Sequence, residues 1–203
     1  MNLQERNEKI EEIFQNAVYK FTHPVSGQPS EDDITDKCPP QSDETYPEFI
    51  FNRIDRGYKS AISGNKDHVK QLLARFMIAD LIRLHIYFSG RGPDIVAQAA
   101  NFLVSECFPV LADKGEDYAV NSDAYANFNE SSELTGLTPS QTLFALMTKH
   151  YLVLRDYIAK SGKNLITQSI SERIVDIINY LAIWAVMPVH EQPSNQLLLF
   201  PED

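Results

Sequence analysis

Apolar residues recur three and four positions apart along most of this chain, the spacing that lines up one face of an α-helix. From Leu3 to Phe21 the apolar positions are Ile10, Ile13, Phe14, Ala17, Val18 and Phe21, with charges between them. Glu48 to Ile62 and Lys66 to Phe88 repeat the pattern, separated by the Ser-Gly-Asn break at 63–65. Ser89-Gly90-Arg91-Gly92-Pro93 ends the second of these, and Pro93 is placed as an early residue of a further helix from Asp94 to Ala112. Lys114 to Asn121 is polar and reads as a loop, followed by a short helix over about 123–134 that Gly136 ends. Thr138-Pro139-Ser140-Gln141 has the cap, first-turn proline and third-position glutamine of a helix start, and that helix runs to about Lys160. A last helix covers 169–187 and stops at Pro188.

No alternating pattern is long enough for a sheet, so the expected fold is all-α, a bundle of six or seven helices. Its divisions are an amphipathic helix at 1–22, an acidic proline-rich loop at 23–47, a helical domain at 48–187 and an extended tail at 188–203. The loop holds five prolines and many acids, which punctuate rather than build a core.

Charge narrows the range of partners. With 28 acidic against 18 basic side chains, the formal charge of −10 disfavours general attraction to nucleic acid or to an anionic membrane. Cys38 and Cys107 stand in no metal-ligand or disulfide-framework spacing, which suits a reducing cytosol. The first residues lack an apolar signal core, and no stretch reads as the roughly 18 apolar residues of a membrane span. The expected location is the cytoplasm.

The candidate chemistry gathers in the C-terminal half. The last helix is apolar on nearly every face except at Asp176 and Asn179, and a buried carboxylate must find a cation, donors or a metal. Arg173, Asp176, Asn179 and Tyr180 form one polar strip at helical spacing. Two readings stay open: an internal Arg173–Asp176 salt bridge with Asn179 bonded to neighbouring backbone, or a ligand or metal site. On the preceding helix His150 lies between Leu146 and Leu154, as a core histidine or a catalytic one, and Lys149 beside it offers a cation for phosphate. Glu130 and Glu133, three residues apart, are either solvated acids or a pair able to hold Mg²⁺ through oxygen. His23, His68 and His85 have no paired spacing and read as surface or packing residues. Phosphate-binding loops, dinucleotide-binding turns, zinc-protease motifs and nucleophile elbows are missing from the sequence.

Five words in order, Lys114-Gly-Glu-Asp117-Tyr-Ala, Asn127-Phe128, GLTP at 136–139, Lys149-His150 and ERIVDIINYL at 172–181, carry a family resemblance. Over residues 114–187 the chain resembles the phage-associated nucleotide-modification-associated helical domain, whose members occur near enzymes of nucleotide and modified-base metabolism. ERIVDIINYL is also similar to the last metal-binding helix of the all-α, MazG-like nucleoside triphosphate pyrophosphohydrolases. There, paired carboxylate helices hold Mg²⁺ so that water attacks a nucleotide phosphate.

The resemblance implies a phage-derived nucleotide-metabolism protein in a bacterial or infected-host cytosol. It implies substrate contacts at Asp117, Asn127, Lys149, Arg173 and Asn179, catalytic roles for Asp176 and His150, and Mg²⁺ at Glu130, Glu133 and Asp176. Arg173 stands where the second metal pair would have a glutamate, so binding of a nucleoside phosphate is implied more directly than its hydrolysis. The tail offers a different function. Gln196, Leu197, Leu199 and Phe200, in the run QLLLF, are similar to the short peptide by which bacterial replication proteins dock on the sliding clamp. The alternative is that these residues pack back on this protein or on a second subunit of a homo-oligomer.

Overall fold

The computed structural model describes residues 1–22, 45–63, 69–90, 92–118, 123–160 and 170–188, without the side chains of Lys20, Thr22, Glu116, Asp117 and Tyr118. Among the described residues the chain is all-α, with no strand. The helices are α1 (Leu3–Thr22), α2 (Tyr46–Ile62), α3 (Lys70–Ser89), α4 (Ile95–Phe102), α5 (Phe108–Tyr118), α6 (Ala126–Thr135), α7 (Pro139–Ala159) and α8 (Ile170–Val186). A π-helical turn, Leu103–Cys107, joins α4 to α5 as one rod, so the described residues form seven rods. Most of the proline-rich loop and all of the QLLLF peptide, with Gln196, Leu197, Leu199 and Phe200, lie outside the described residues.

Helix starts follow local chemistry. Thr138 accepts from the Gln141 amide at 3.2 Å while its own amide donates to the Gln141 side chain at 2.8 Å, the reciprocal box expected from the sequence. Gly136, at φ +70°, closes α6 in the left-handed region that a side chain disfavours. Three boundaries differ from the sequence expectation. Helix α2 begins two residues early, because the Thr45 amide and hydroxyl both bond the Glu48 carboxylate, at 2.7 and 2.8 Å, and Pro47 fits the first turn. Pro93 lies outside α4, whose cap is Asp94, accepting from the Ala97 amide at 2.9 Å. The segment from Lys114, read as a loop, continues α5 as far as Tyr118.

The α4–α5 rod departs furthest from a uniform helix. Pro109 carries no amide hydrogen and crowds the carbonyl one turn before it, and the backbone widens there: the Phe108 amide bonds Leu103 across five residues instead of four. That extra residue rotates everything after it by about 100°. The rotation lets residues spaced by fours, Ala99, Leu103, Cys107 and Leu111, share one buried stripe, all at most 2% exposed. Joined in this way, Ile95–Gly115 becomes long and apolar enough, by length and composition, to cross a membrane, which the sequence reading did not anticipate. Here it packs sideways on α1, α3 and α8.

Helix α8 runs through the middle, against α1, α3 and α7, which explains why it is apolar almost all round. Beneath it, α3 carries a charged group of its own. Asp80, 3% exposed, is held by Arg83 at 2.6 Å and by Arg53 of α2 at 3.0 Å, and burial pushes its carboxyl up against the pull of the two arginines. A buried pair of this kind ties two helices in one register more than it adds stability.

Candidate functional site

Asp176 is 7% exposed, and a nitrogen lies close to each of its oxygens. Oδ1 accepts from Lys114 Nζ of α5 at 2.7 Å, and Oδ2 lies 3.1 Å from Nδ1 of His150 on α7. The same Nδ1 lies 3.0 Å from Arg173 Nη1, one turn before Asp176 on α8. The salt bridge of Asp176 therefore runs across helices to Lys114, the His150 contact becomes one only when the imidazole is protonated, and Arg173 bonds the imidazole instead of the carboxylate. Tyr180 places its ring 5.9 Å from the His150 ring on the same side.

Three helices position these groups. Helices α7 and α8 cross closely enough for His150 to reach the strip on α8. Lys114 reaches Asp176 because the π turn rotates α5 into that register, while Gly115 beside it lets α1 approach. A Cβ on Gly115 would run into the buried Arg6 guanidinium and lie 3.1 Å from Leu3 Cδ1. Lys114 itself remains 54% exposed on its side chain, so the cluster is buried at Asp176 and His150 and opens to water along the lysine.

The electrostatics are uneven. Burial lowers the His150 pKa to about 4; Asp176 pulls the other way, and Lys149, Arg173 and Lys114 add to the lowering. Among the described side chains, the charges that act on His150 are three cations and one carboxylate. With the imidazole neutral, two positive charges are left over in a chain whose formal charge is −10. An excess of this sign, half screened from water, favours an anion. Nδ1 can hold one of its two neighbours at a time: without a proton it accepts from Arg173, and with one it donates to Asp176.

The other sequence candidates are distributed around this cluster. Lys149 is exposed beside His150 and acts on it through its charge. Asn179 lies deeper on α8, donating from Nδ2 to the Cys107 carbonyl at 3.0 Å, the neighbouring-backbone bond considered from the sequence; its Oδ1 is buried without a partner. Asn127 is half-buried on α6, and its Oδ1 likewise has no partner. Asp117 follows Lys114 by three residues on α5, but its side chain lies outside the described residues.

Glu130 and Glu133 stand exposed on α6, whereas Asp176 is buried on α8, and no group of three His, Cys, Asp or Glu side chains is arranged to hold a metal among the described residues. With Asp176 Oδ1 held by the Lys114 ammonium and no group of three ligating side chains around it among the described residues, the described donors do not fit a Mg²⁺ site.

Lys114 is the residue that the sequence reading missed as a site residue, although it opens the KGEDYA word. His85 is a packing residue: it stacks on Phe102 at 3.5 Å between centroids and lies 3.1 Å from the Ser171 hydroxyl, with its pKa lowered to about 4 by burial. A shallow groove of about 860 Å³ between α2 and α7, lined by Asp55, Lys59, Tyr151 and Arg155 among others, includes none of the cluster residues. Set against family models, curated proteins and solved structures, the chain gives no match in any of the three comparisons.

Proposed function

We propose that this chain binds a nucleoside phosphate, taking the phosphate at the cluster of Lys114, Lys149, His150, Arg173 and Asp176, and that it serves nucleotide metabolism inside the cell. The observation that carries the reading is the excess of positive charge, among the described side chains, around a buried histidine in a strongly acidic chain. Arg173 adds a second support, since its Nε is buried without a partner and its guanidinium fork suits phosphate oxygens. The nucleoside half of the ligand rests on the resemblance of residues 114–187 to the nucleotide-modification-associated domain.

Binding is favoured over hydrolysis. Asp176 is committed to Lys114, and Arg173 stands where a second metal pair would need a carboxylate. The test is a thermal-shift panel of nucleosides and of mono-, di- and triphosphates in ribo and deoxy forms, with and without Mg²⁺, alongside a phosphate-release assay. Phosphorylated members are expected to raise the melting temperature and plain nucleosides to leave it unchanged. Arg173→Gln should weaken binding about tenfold to a hundredfold, the worth of a charge-assisted hydrogen bond. A panel giving neither shift nor turnover overturns the proposal.

A further inference from the structure

The outer side of the α4–α5 rod is a long surface almost without charge. Only 28% of the apolar stretch within Ile95–Gly115 is buried, too little for a core helix. One strip of it runs in strict fours through Val96, Ala100, Val104, Phe108 and Ala112, with Val96 47% and Val104 69% exposed and the other three half-buried. The π turn that holds the buried stripe in line holds this one in line too. Beside it the Ser105 hydroxyl donates to Asn101 Oδ1 at 3.1 Å, so part of the polarity there is already satisfied. Between Asp94 and Asp113 the sequence has one charge, Glu106, and its carboxylate turns towards α8, 3.4 Å from the Ser171 hydroxyl.

Independently of the anion site, we propose that this strip is a dimer interface on which a second copy of the chain packs antiparallel, with the two-fold axis at Val104. Its own pattern selects the second copy. Reversed about Val104, the strip is complementary to itself: Phe108 of one copy falls on Ala100 of the other and Val96 on Ala112, so each large residue meets a small one. A chain of formal charge −10 repels its copy over most of its surface, and the uncharged rod is where that repulsion is weakest. Size sets the strength. The 21 residues of Ile95–Gly115 make a rod about 31 Å long, which at the usual 8–10 Å between helix axes buries on the order of 400–500 Å² per copy, near the lower limit of a specific interface. The dimer is therefore reversible, with a dissociation constant in the micromolar range. A membrane surface fits less well, because an interfacial helix keeps Lys and Arg on its polar side. This rod starts beside Asp94 and ends at Asp113 and Lys114, whose ammonium is bonded to Asp176.

Sedimentation velocity of the full chain across the micromolar range should show a monomer–dimer equilibrium that added salt shifts towards dimer, by screening the repulsion. Val104 pairs with itself, so Val104→Glu and Val104→Lys should each weaken the dimer about tenfold or more, and an equimolar mixture of the two should restore it through opposite charges on the axis. The side chain is exposed, and both variants are expected to keep the circular-dichroism spectrum of the unmodified chain. Should either fail to fold, Val104→Cys in a Cys38→Ser background replaces them: mild oxidation should join its chains into a covalent dimer, and absence of that crosslink overturns the proposal. A chain that stays monomeric throughout the range, a dimer that neither charged variant weakens, or a mixture of the two that remains monomeric also overturns it. So does a monomer that binds neutral phosphatidylcholine vesicles and loses them on Val104→Glu, which gives the face to a membrane instead.

Discussion

Gly115→Ala sets two opposing effects against each other at the place where α5 meets α1. Alanine in a helix interior is better than glycine by about 1 kcal/mol, and taken alone this stabilises. The new Cβ, however, would meet the Arg6 guanidinium, 3.4 Å from its Cζ and closer still to Nη2, and would press on Leu3 Cδ1 at 3.1 Å. The tip of a long side chain ordinarily swings clear of such a contact. Arg6 is 3% exposed and donates from Nη1 to the Ala124 carbonyl at 3.1 Å, so moving it breaks a charge-assisted bond inside the fold. Overpacking costs about 1–3 kcal/mol, and loss of the bond about 1.5–3 kcal/mol. The unfavourable side wins by about 1.5–5 kcal/mol, which at this chain length lowers the melting temperature by roughly 3–20 °C. Thermal and urea denaturation measure it directly. In an Arg6→Gln background the shorter side chain leaves room, so the cost should shrink or turn into a small gain, and the double-mutant cycle isolates the contact. A Gly115→Ala protein that melts at or above the unmodified temperature would refute the argument that α5 packs through this glycine.

Two other outcomes follow from the same geometry. Asp176→Asn removes the only carboxylate among the described charges acting on His150, so it should cost about 1–2 kcal/mol of stability through lost charge-assisted bonds while sulfate binding is retained or strengthened; a loss of sulfate binding measured without Mg²⁺ contradicts the cationic-site reading. His85 and His150 both have folded pKa values lowered to about 4, below the ordinary 6.5. The unfolded chain therefore binds protons first: their contribution is complete above about pH 6.5 and is lost as the pH falls from there towards 4. The unfolding free energy from urea denaturation should drop by about 1 kcal/mol per pH unit for each histidine across that window, and a flat profile between pH 6.5 and 5 contradicts the burial of both imidazoles.

Helices were legible wherever the chain carries its own local instruction. The Thr138–Gln141 box and Gly136 announce both ends of the α6–α7 connection, and the three- and four-residue spacing of Ile10, Ile13, Phe14 and Ala17 marks α1. Boundaries were lost where one signal has two meanings. Proline begins a helix at Pro139 and sits outside one at Pro93, because Asp94 behind it is the better cap. Glycine amid polar residues, as in Lys114-Gly115-Glu116, reads as a loop; in the fold the missing side chain lets α1 lie against α5. Asp80 gave a buried carboxylate with its arginine three residues away, a pattern that the sequence holds in plain view as Asp-Leu-Ile-Arg.

The site depended on a register that no single-helix pattern contains. Asp176, His150 and Arg173 were legible because a charge on an apolar helix must be answered, and the structure brings those three within about 3 Å contacts. The cation that answers Asp176 most directly lies elsewhere, and it reaches the carboxylate only because Pro109 forces an extra residue into the α4–α5 rod. In an uninterrupted α-helix the buried stripe through Ala99 and Leu103 drifts by about 40° for each four-residue step, which would carry Cys107 and Leu111 away from the core. The widened turn absorbs that drift, and the same rotation delivers Gly115 to α1 and Lys114 to α8. Four apolar or small residues at strict fours, with a proline between the last two, are thus a readable sign of a π turn, and the residues just beyond it are where a register-dependent contact is to be sought. The cationic character of the cluster is in this sense a property of the backbone at 103–107 as much as of the side chains that display it.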